Sequence, residues 1–240
     1  MSGCGDADVE PGWCGADDVH VWQVGLDVSC DQLDVLAGYL STEERDRADR
    51  SRNPRDRVRI IAARGWLRHL LGGYVDNHPR DLAFTRDEHG KPRLAGKSGE
   101  WLRFNASHSD GAALYAVARG RGVGVDLERV RDDFPVHDVA RRFFPQAEQE
   151  ELWALPRTQQ VRAFFDAWTR KEAYLKAIGI GLRGLAVADV DVSQWSLQSI
   201  DAGPEYSAAL VVARSRTAAC HRVCYHTSLA LRARPLAGVG

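Results

Sequence analysis

Val123-Gly-Val-Asp-Leu-Glu-Arg129 alternates apolar and polar residues with the period of a β-strand, and residues 158–178, ahead of Gly179, repeat apolar positions at helical spacing. In a strand, side chains i and i+2 share a face, so Val123, Val125 and Leu127 turn to a core while Gly124, Asp126 and Glu128 line the other side. On the helix, Phe165, Trp168, Glu172 and Lys176 follow i, i+3/i+4 spacing and form one stripe. A helix laid on that strand would bring together three carboxylates and an ammonium, the outline of a site for a metal and a phosphate. Each element alone has a plainer reading, a strand with one wet face and a surface Glu-to-Lys pair. The aromatic residues on the helical stripe argue for partial burial, where a charge needs a partner.

Working outward, the two halves echo each other. In the first, His20-Val-Trp-Gln-Val-Gly-Leu-Asp-Val28 reads as a strand and 33–40 as a helix. Ser41-Thr-Glu-Glu44 is a capping box that starts another helix. A longer helix is expected over 55–71, stopped by Gly72-Gly73, then strands over 82–85, 101–107 and 112–118. In the second half, helices are expected over 135–144, 146–155 and 158–178, and strands near 186–192, 206–212 and 222–231. The expected fold is α+β, a pseudo-twofold tandem of two similar lobes, each a long helix on a mainly antiparallel sheet. Residues 19–118 and 119–232 form the lobes, 1–18 a disordered tail and 233–240 a flexible end.

With 240 residues the chain has room for two small packed lobes, at about 150 residues or fewer per domain. Hydrophobic residues make up 44% and the net charge is −1, which fits an ordinary globular protein and gives no electrostatic footprint for nucleic acid. No apolar run approaches the ~20 residues that cross a bilayer, and no basic-plus-apolar leader opens the chain, so a cytosolic protein is expected. Five scattered cysteines give no disulfide framework. Cys220 and Cys224 flank His221 with His226 nearby, but that spacing matches no common zinc pattern and the stretch also reads as a strand.

Two further features carry chemistry. The first half is crowded with arginines (Arg45, Arg47, Arg50, Arg52, Arg55, Arg57, Arg59, Arg64, Arg68) interleaved with acids, mostly a solvated face, although arginine's fork also suits phosphate. Phe104-Asn-Ala-Ser-His-Ser109 ends a strand ahead of an Asp-Gly turn, where Ser107 and His108 can donate to an anion. No G-x-S-x-G elbow surrounds Ser107, which argues against a hydrolase triad.

Taken in order, the Arg-rich helix, Gly90-Lys-Pro92, Phe104–109, Gly124-Val-Asp-Leu-Glu128, Arg142-Phe-Phe-Pro145, Trp168–176 and Gly179-Ile-Gly-Leu182 resemble the Sfp-type 4′-phosphopantetheinyl transferases. The resemblance spans roughly 41–190. It implies two related lobes with coenzyme A between them, and Mg²⁺ held by Asp126, Glu128 and Glu172. It further implies that Lys176 meets the pyrophosphate, Ser107 and His108 contact phosphates, Lys91 and Pro92 lie beside the adenine, and Arg47 and Arg59 face the 3′-phosphate. Asp126, Glu172 and Lys176 would be the catalytic group, Glu172 also serving as general base. The partners implied are coenzyme A and an apo acyl or peptidyl carrier protein, with no nucleic acid and no membrane, and the enzyme would be a pseudo-dimeric monomer. The alternative is a coenzyme A or carrier-binding module without transfer. Ser51-Arg52 and Ala106 stand where relatives often carry an aromatic and a bulkier residue.

Overall fold

The computed structural model describes residues 12–13, 18–180, 193–214, 222–227, 229 and 231. The first lobe contains β1 (Val19–Gly25), α1 (Cys30–Tyr39), α2 (Thr42–Asp49), α3 (Pro54–Val75), β2 (Phe84–Arg86), β3 (Pro92–Leu94), α4 (Ser98–Trp101), β4 (Leu102–Ser109) and β5 (Ala112–Arg119). The second contains β6 (Val123–Arg129), α5 (Val136–Phe143), α6 (Gln146–Ala154), α7 (Arg157–Ile178), β7 (Trp195–Ile200) and β8 (Tyr206–Ala213), followed by β9 (Val223–His226).

Local chemistry sets the helix ends. Ser41 accepts from the Glu44 amide at 3.3 Å while Glu44 accepts from the Ser41 amide at 3.0 Å, the reciprocal box the sequence predicts. Ser29 and Gln32 form a second, unexpected box of the same kind. Helix α3 starts at Pro54 under an Asn53 cap and runs through Gly72-Gly73 to Val75, four residues beyond its expected end at 71. Glycine weakens a helix interior by only ~1 kcal/mol. Here it is required, because a Cβ on Gly72 would stand 2.7 Å from the Asn77 carbonyl oxygen as the chain doubles back. Asp76, in the left-handed region at φ 48°, ends the helix instead. Gly179, at φ 87°, closes α7 as expected.

Among the described residues two sheets form, in strand orders β4-β5-β1-β9 and β6-β8-β7, and β2-β3 is a separate hairpin. All of these pairs are antiparallel except β1 with β9. Helices α3 and α7, 22 residues each, cover opposite outer faces. The inner faces share one core, in which Val19, Val21, Leu114 and Ala116 pack with Val123, Val125, Leu127 and Leu210. The result is four layers, helix, sheet, sheet, helix, the two-lobed α+β arrangement predicted. Burial of each such Val or Leu side chain contributes roughly 1.5–3 kcal/mol, which joins the lobes firmly.

Two departures concern the ends. Strand β9 lies inside the span 119–232 assigned to the second lobe, yet it extends the first lobe's sheet, Val19 pairing with Val223. Sequence periodicity gives a strand but not its sheet. Trp13, placed in the expected disordered tail, packs against Tyr74, Trp101 and His20 with the Arg119 guanidinium over its ring, because an indole finds enough apolar surface there to become ordered. The rest of 1–17 apart from Gly12, the strand expected at 186–192 and the end at 233–240 lie outside the described residues. Strand β7 was not expected, although Trp195-Ser-Leu-Gln-Ser-Ile200 alternates with period two.

Candidate active site

Gly124 fixes the site. A side chain there would run into the backbone of Ala173 and Ala177, its Cβ only 2.9 Å from the Ala177 Cα, so glycine lets α7 rest directly on β6. That contact sets Glu172 and Lys176, one helical turn apart, over Asp126 and Glu128, two residues apart on the strand. Between the lobes, β4 bridges to β6 with every second side chain. The Val125 amide donates to Asn105 Oδ1 at 2.9 Å, Ser107 Oγ to Asp126 Oδ1 at 2.8 Å, and Ser109 Oγ to Glu128 Oε2 at 3.0 Å. The Arg129 amide completes the series, donating to Ser109 Oγ at 3.0 Å.

Lys176 Nζ donates to Asp126 Oδ1 at 2.6 Å and to Ser107 Oγ at 2.9 Å. Asp126 is 2% exposed. Its second oxygen, Oδ2, and Glu172 Oε1 are buried with no hydrogen-bond partner among the described residues. Burial, and then the neighbouring Asp126 charge, push the Glu172 carboxyl up to about 7. The same two causes raise Glu128, against the opposing Ser109 hydrogen bond. Two unpartnered oxygens amid mutually repelling acids are a donor set suited to a hard cation. Among the described residues, the oxygens of the three carboxylates do not all come within 4.8 Å of one another. Mg²⁺ does not require that, since it takes one or two carboxylates and completes its shell with waters and phosphate oxygens.

A cavity of ≈ 290 Å³ opens over this group, lined by Ala106, Ser107, His108, Asp126, Glu128, Trp168, Glu172 and Lys176. A second, of ≈ 220 Å³, shares Ala106, Glu172 and Lys176 and continues to Lys91, Pro92 and Ile180. Together they make a cleft between the lobes. His108 stands at its mouth. Surrounding protein, and then the cations Lys176, Arg64 and Arg47, hold the imidazole below its ordinary pKa.

The remaining expected contacts are distributed less simply. Arg47 is exposed on α2 on the His108 side. Arg59 is engaged elsewhere: its guanidinium holds Asp27 with two bonds of 2.9 and 3.0 Å and also pairs with Asp110, bracing the β4–β5 turn rather than facing His108. Arg64, half-buried and making no ion pair among the described residues, is the α3 arginine coupled to His108. Its signal was legible, since it interrupts the apolar run Ile61-Ala-Ala-Arg-Gly-Trp-Leu67, where an arginine needs a function. Lys91 does not present its ammonium to the cleft. Nζ donates to the carbonyls of Val123 (3.0 Å), Lys176 (2.6 Å) and Ala177 (3.3 Å), tying the β2–β3 hairpin to the second lobe, and burial pushes it down to about 8. Pro92 does line the cleft. Phe144 is core, and Trp153 stacks on His137 at 4.0 Å.

Comparison with known proteins accounts for both lobes. Residues 27–119 match the family model for the N-terminal part of 4′-phosphopantetheinyl transferases, and 122–226 match that of the 4′-phosphopantetheinyl transferase superfamily. The chain is 40% identical over 193 residues to the 4′-phosphopantetheinyl transferase HetI of a Nostoc species, covering 80% of this chain and 81% of the relative. It is 31% identical over 151 residues to gsp of Aneurinibacillus migulanus, covering 62% and 60%, and 26% identical over 156 residues to Sfp of Bacillus subtilis, covering 65% and 67%. With these matches spanning both halves and the inter-lobe cleft, the chain belongs to the 4′-phosphopantetheinyl transferase superfamily and is a transferase of the Sfp type.

Proposed function

We propose that the inter-lobe cleft binds coenzyme A with its pyrophosphate against Lys176, Asp126 and Glu172, and transfers the 4′-phosphopantetheine arm to a serine of an apo acyl or peptidyl carrier protein. The observation that carries this reading is the Lys176 ammonium, held by Asp126 and Ser107 beside the unpartnered Asp126 Oδ2 and Glu172 Oε1 in an open cavity. Asp126 and Glu172 would hold Mg²⁺ through those oxygens, with Glu128 adding charge. When bound, the ion neutralises negative charge on the pyrophosphate.

The chain's own groups then have distinct tasks. The serine Oγ forms a bond to the β-phosphorus, the one carrying pantetheine, and the bond from that phosphorus to the bridging oxygen breaks, releasing adenosine 3′,5′-bisphosphate. Lys176 stabilises the charge left on the departing phosphate, the kind of preorganised contact worth about 10²–10³ in rate. Glu172, as a carboxylate, accepts the serine proton. Arg47, Arg64 and His108 form the basic end that suits the 3′-phosphate, while Pro92 and the backbone of 89–91 flank the adenine. The reaction takes place in the cytosol, and the two lobes of one monomer make the whole site.

The test is mass spectrometry of purified apo carrier incubated with coenzyme A and Mg²⁺. A gain of one phosphopantetheine, lost in Lys176→Ala and Glu172→Gln although coenzyme A still binds, is expected. Tight coenzyme A binding without mass gain on any of several carriers would show a binding module instead. Near-normal turnover by Glu172→Gln would remove the base assignment.

A further inference from the structure

Away from the cleft, the parallel pairing of β1 with β9 sets His20 opposite Cys224 and Trp22 opposite His226. Residues directly opposite share a sheet face, as do i and i+2, so Asp18, His20, Cys224 and His226 project from the same side. Ligand atoms of Asp18, His20 and Cys224 lie within 4.8 Å of one another. The ring of His226 is 5.4 Å from that of His20 and is stacked on Trp22.

The decisive feature is His20. It is 1% exposed, yet neither of its ring nitrogens has a hydrogen-bond partner among the described residues, and Nε2 of the 7% exposed His226 also has none. A neutral imidazole carries one N–H and one lone pair, and a folded chain rarely buries both unused. Trp13 and Tyr74 close one side of the ring with centroids at 5.6 Å, so the unpartnered nitrogens lie in a shielded, built environment. Asp18 is 7% exposed and pairs at 2.7 Å with Arg222, whose own side chain is 64% exposed.

We propose that Asp18, His20 and Cys224 form a structural site for a borderline-soft divalent cation of the zinc class, with His226, outside their 4.8 Å group, as the neighbouring candidate for a fourth donor. A thiolate, an imidazole and a carboxylate are the ligand types Zn²⁺ takes in tetrahedral sites, at about 2.0–2.3 Å. Mg²⁺ and Ca²⁺, which call for oxygen donors, are not served. Drawing donors now within 4.8 Å onto such a centre needs about an ångström of side-chain adjustment, well within rotamer freedom. The ion would fasten β9, a four-residue edge strand, to β1 and so tie the C-terminal part of the chain to the start of the fold. It has no part in transfer, since all its donors lie outside the cleft.

The full chain, stripped with a chelator and returned to saturating Mg²⁺ so that the cleft carboxylates are occupied, is titrated with Zn²⁺ against a chromophoric competitor, with Co²⁺ as a second probe. One equivalent bound, a cobalt–thiolate charge-transfer band and a Zn²⁺-dependent rise in melting temperature are expected. His20→Gln and Cys224→Ser each weaken binding at least tenfold, and Cys224→Ser removes the band. Asp126→Asn and Cys30→Ser keep both. Asp18→Asn, which preserves side-chain shape, supplies a folded variant should His20→Gln not fold, and it also weakens binding. Absence of stoichiometric uptake or of the cobalt band in the unaltered chain overturns the proposal whatever the variants do. So does a band that survives in Cys224→Ser or binding that is lost in Asp126→Asn.

Discussion

Lys176 and Asp126, 50 residues apart in the chain, meet at 2.6 Å where α7 crosses β6, and Ser107 from the other lobe joins them. The pair is asymmetric: the Asp126 side chain is 3% exposed, whereas Lys176, 29% exposed, opens on the cavity. Removing the lysine therefore leaves a buried carboxylate with Ser107 alone. Lys176→Ala should lose about 10²–10³ in turnover and, without metal, about 3 kcal/mol of stability, the low end for a broken buried pair because the lysine end is hydrated. Chemical denaturation beside the carrier mass-shift assay checks both, and unchanged stability would mean that Asp126 is better solvated than its burial indicates.

Gly124→Ala tests the seating of α7. The added methyl would collide with backbone rather than with a flexible side chain, so the helix must move. Overpacking typically costs about 1–3 kcal/mol, and a shift of about 1 Å in Glu172 and Lys176 is enough to lose roughly 10² in rate. A variant with wild-type turnover would show that the site tolerates that displacement.

Glu172 supplies a pH dependence. Its folded pKa of about 7 lies above the ordinary 4.5, so between those values the folded, metal-free chain binds more protons than the unfolded one. Stability from this group thus falls as pH rises from about 4.5 to 7. Glu172→Gln should flatten that slope and be the more stable form at pH 8 without metal. Mg²⁺ binding at pH 7 should release protons from the unaltered chain, seen by calorimetry in buffers of different ionisation enthalpy, and release fewer from the variant.

Arg64 is expected to recognise the 3′-phosphate. Arg64→Ala should raise KM for coenzyme A about 10- to 100-fold, the loss of one charge-assisted contact. It should leave KM for dephospho-coenzyme A, which lacks that group, nearly unchanged. Arg59→Ala, whose guanidinium is committed to Asp27 and Asp110, should not distinguish the two substrates. Equal discrimination by both arginines would refute the distinction.

Lys91→Met removes three hydrogen bonds at once and leaves the carbonyls of Val123, Lys176 and Ala177 without their ammonium donor. A loss of about 1–3 kcal/mol in stability is expected, with a rise in KM as the hairpin loosens from the second lobe. A change in KM at unaltered stability would instead point to direct contact between the ammonium and coenzyme A.

Local patterns were mostly legible where local forces decide, the Ser29–Gln32 box and the alternation of β7 excepted. The Ser41–Glu44 capping box, strand Val123–Arg129 and the Gly179 stop follow from hydrogen bonds and dihedral preferences confined to a few residues. Gly72-Gly73 misled because its local signal, a helix end, was outweighed by a close approach of the returning chain. The alternation of Val123, Val125 and Leu127 against Gly124, Asp126 and Glu128 placed two carboxylates on one face before any coordinates.

Which charges are available and which are engaged was decided only in three dimensions. Nothing in the spacing of Lys91 or Arg59 shows that one ammonium would fasten a hairpin to the end of α7 and one guanidinium would brace a turn. Nor could the spacing of Cys220, Cys224 and His226 reveal that Asp18 and His20, about 200 residues earlier, stand near Cys224, brought alongside by a parallel pair. The sequence by itself determined most of the elements, their faces and the family, because periodicity, caps and ordered motifs are local. The tertiary structure decided which side chains converge, because that depends on long-range packing of two sheets face to face, and a charge takes whichever partner that packing brings within reach.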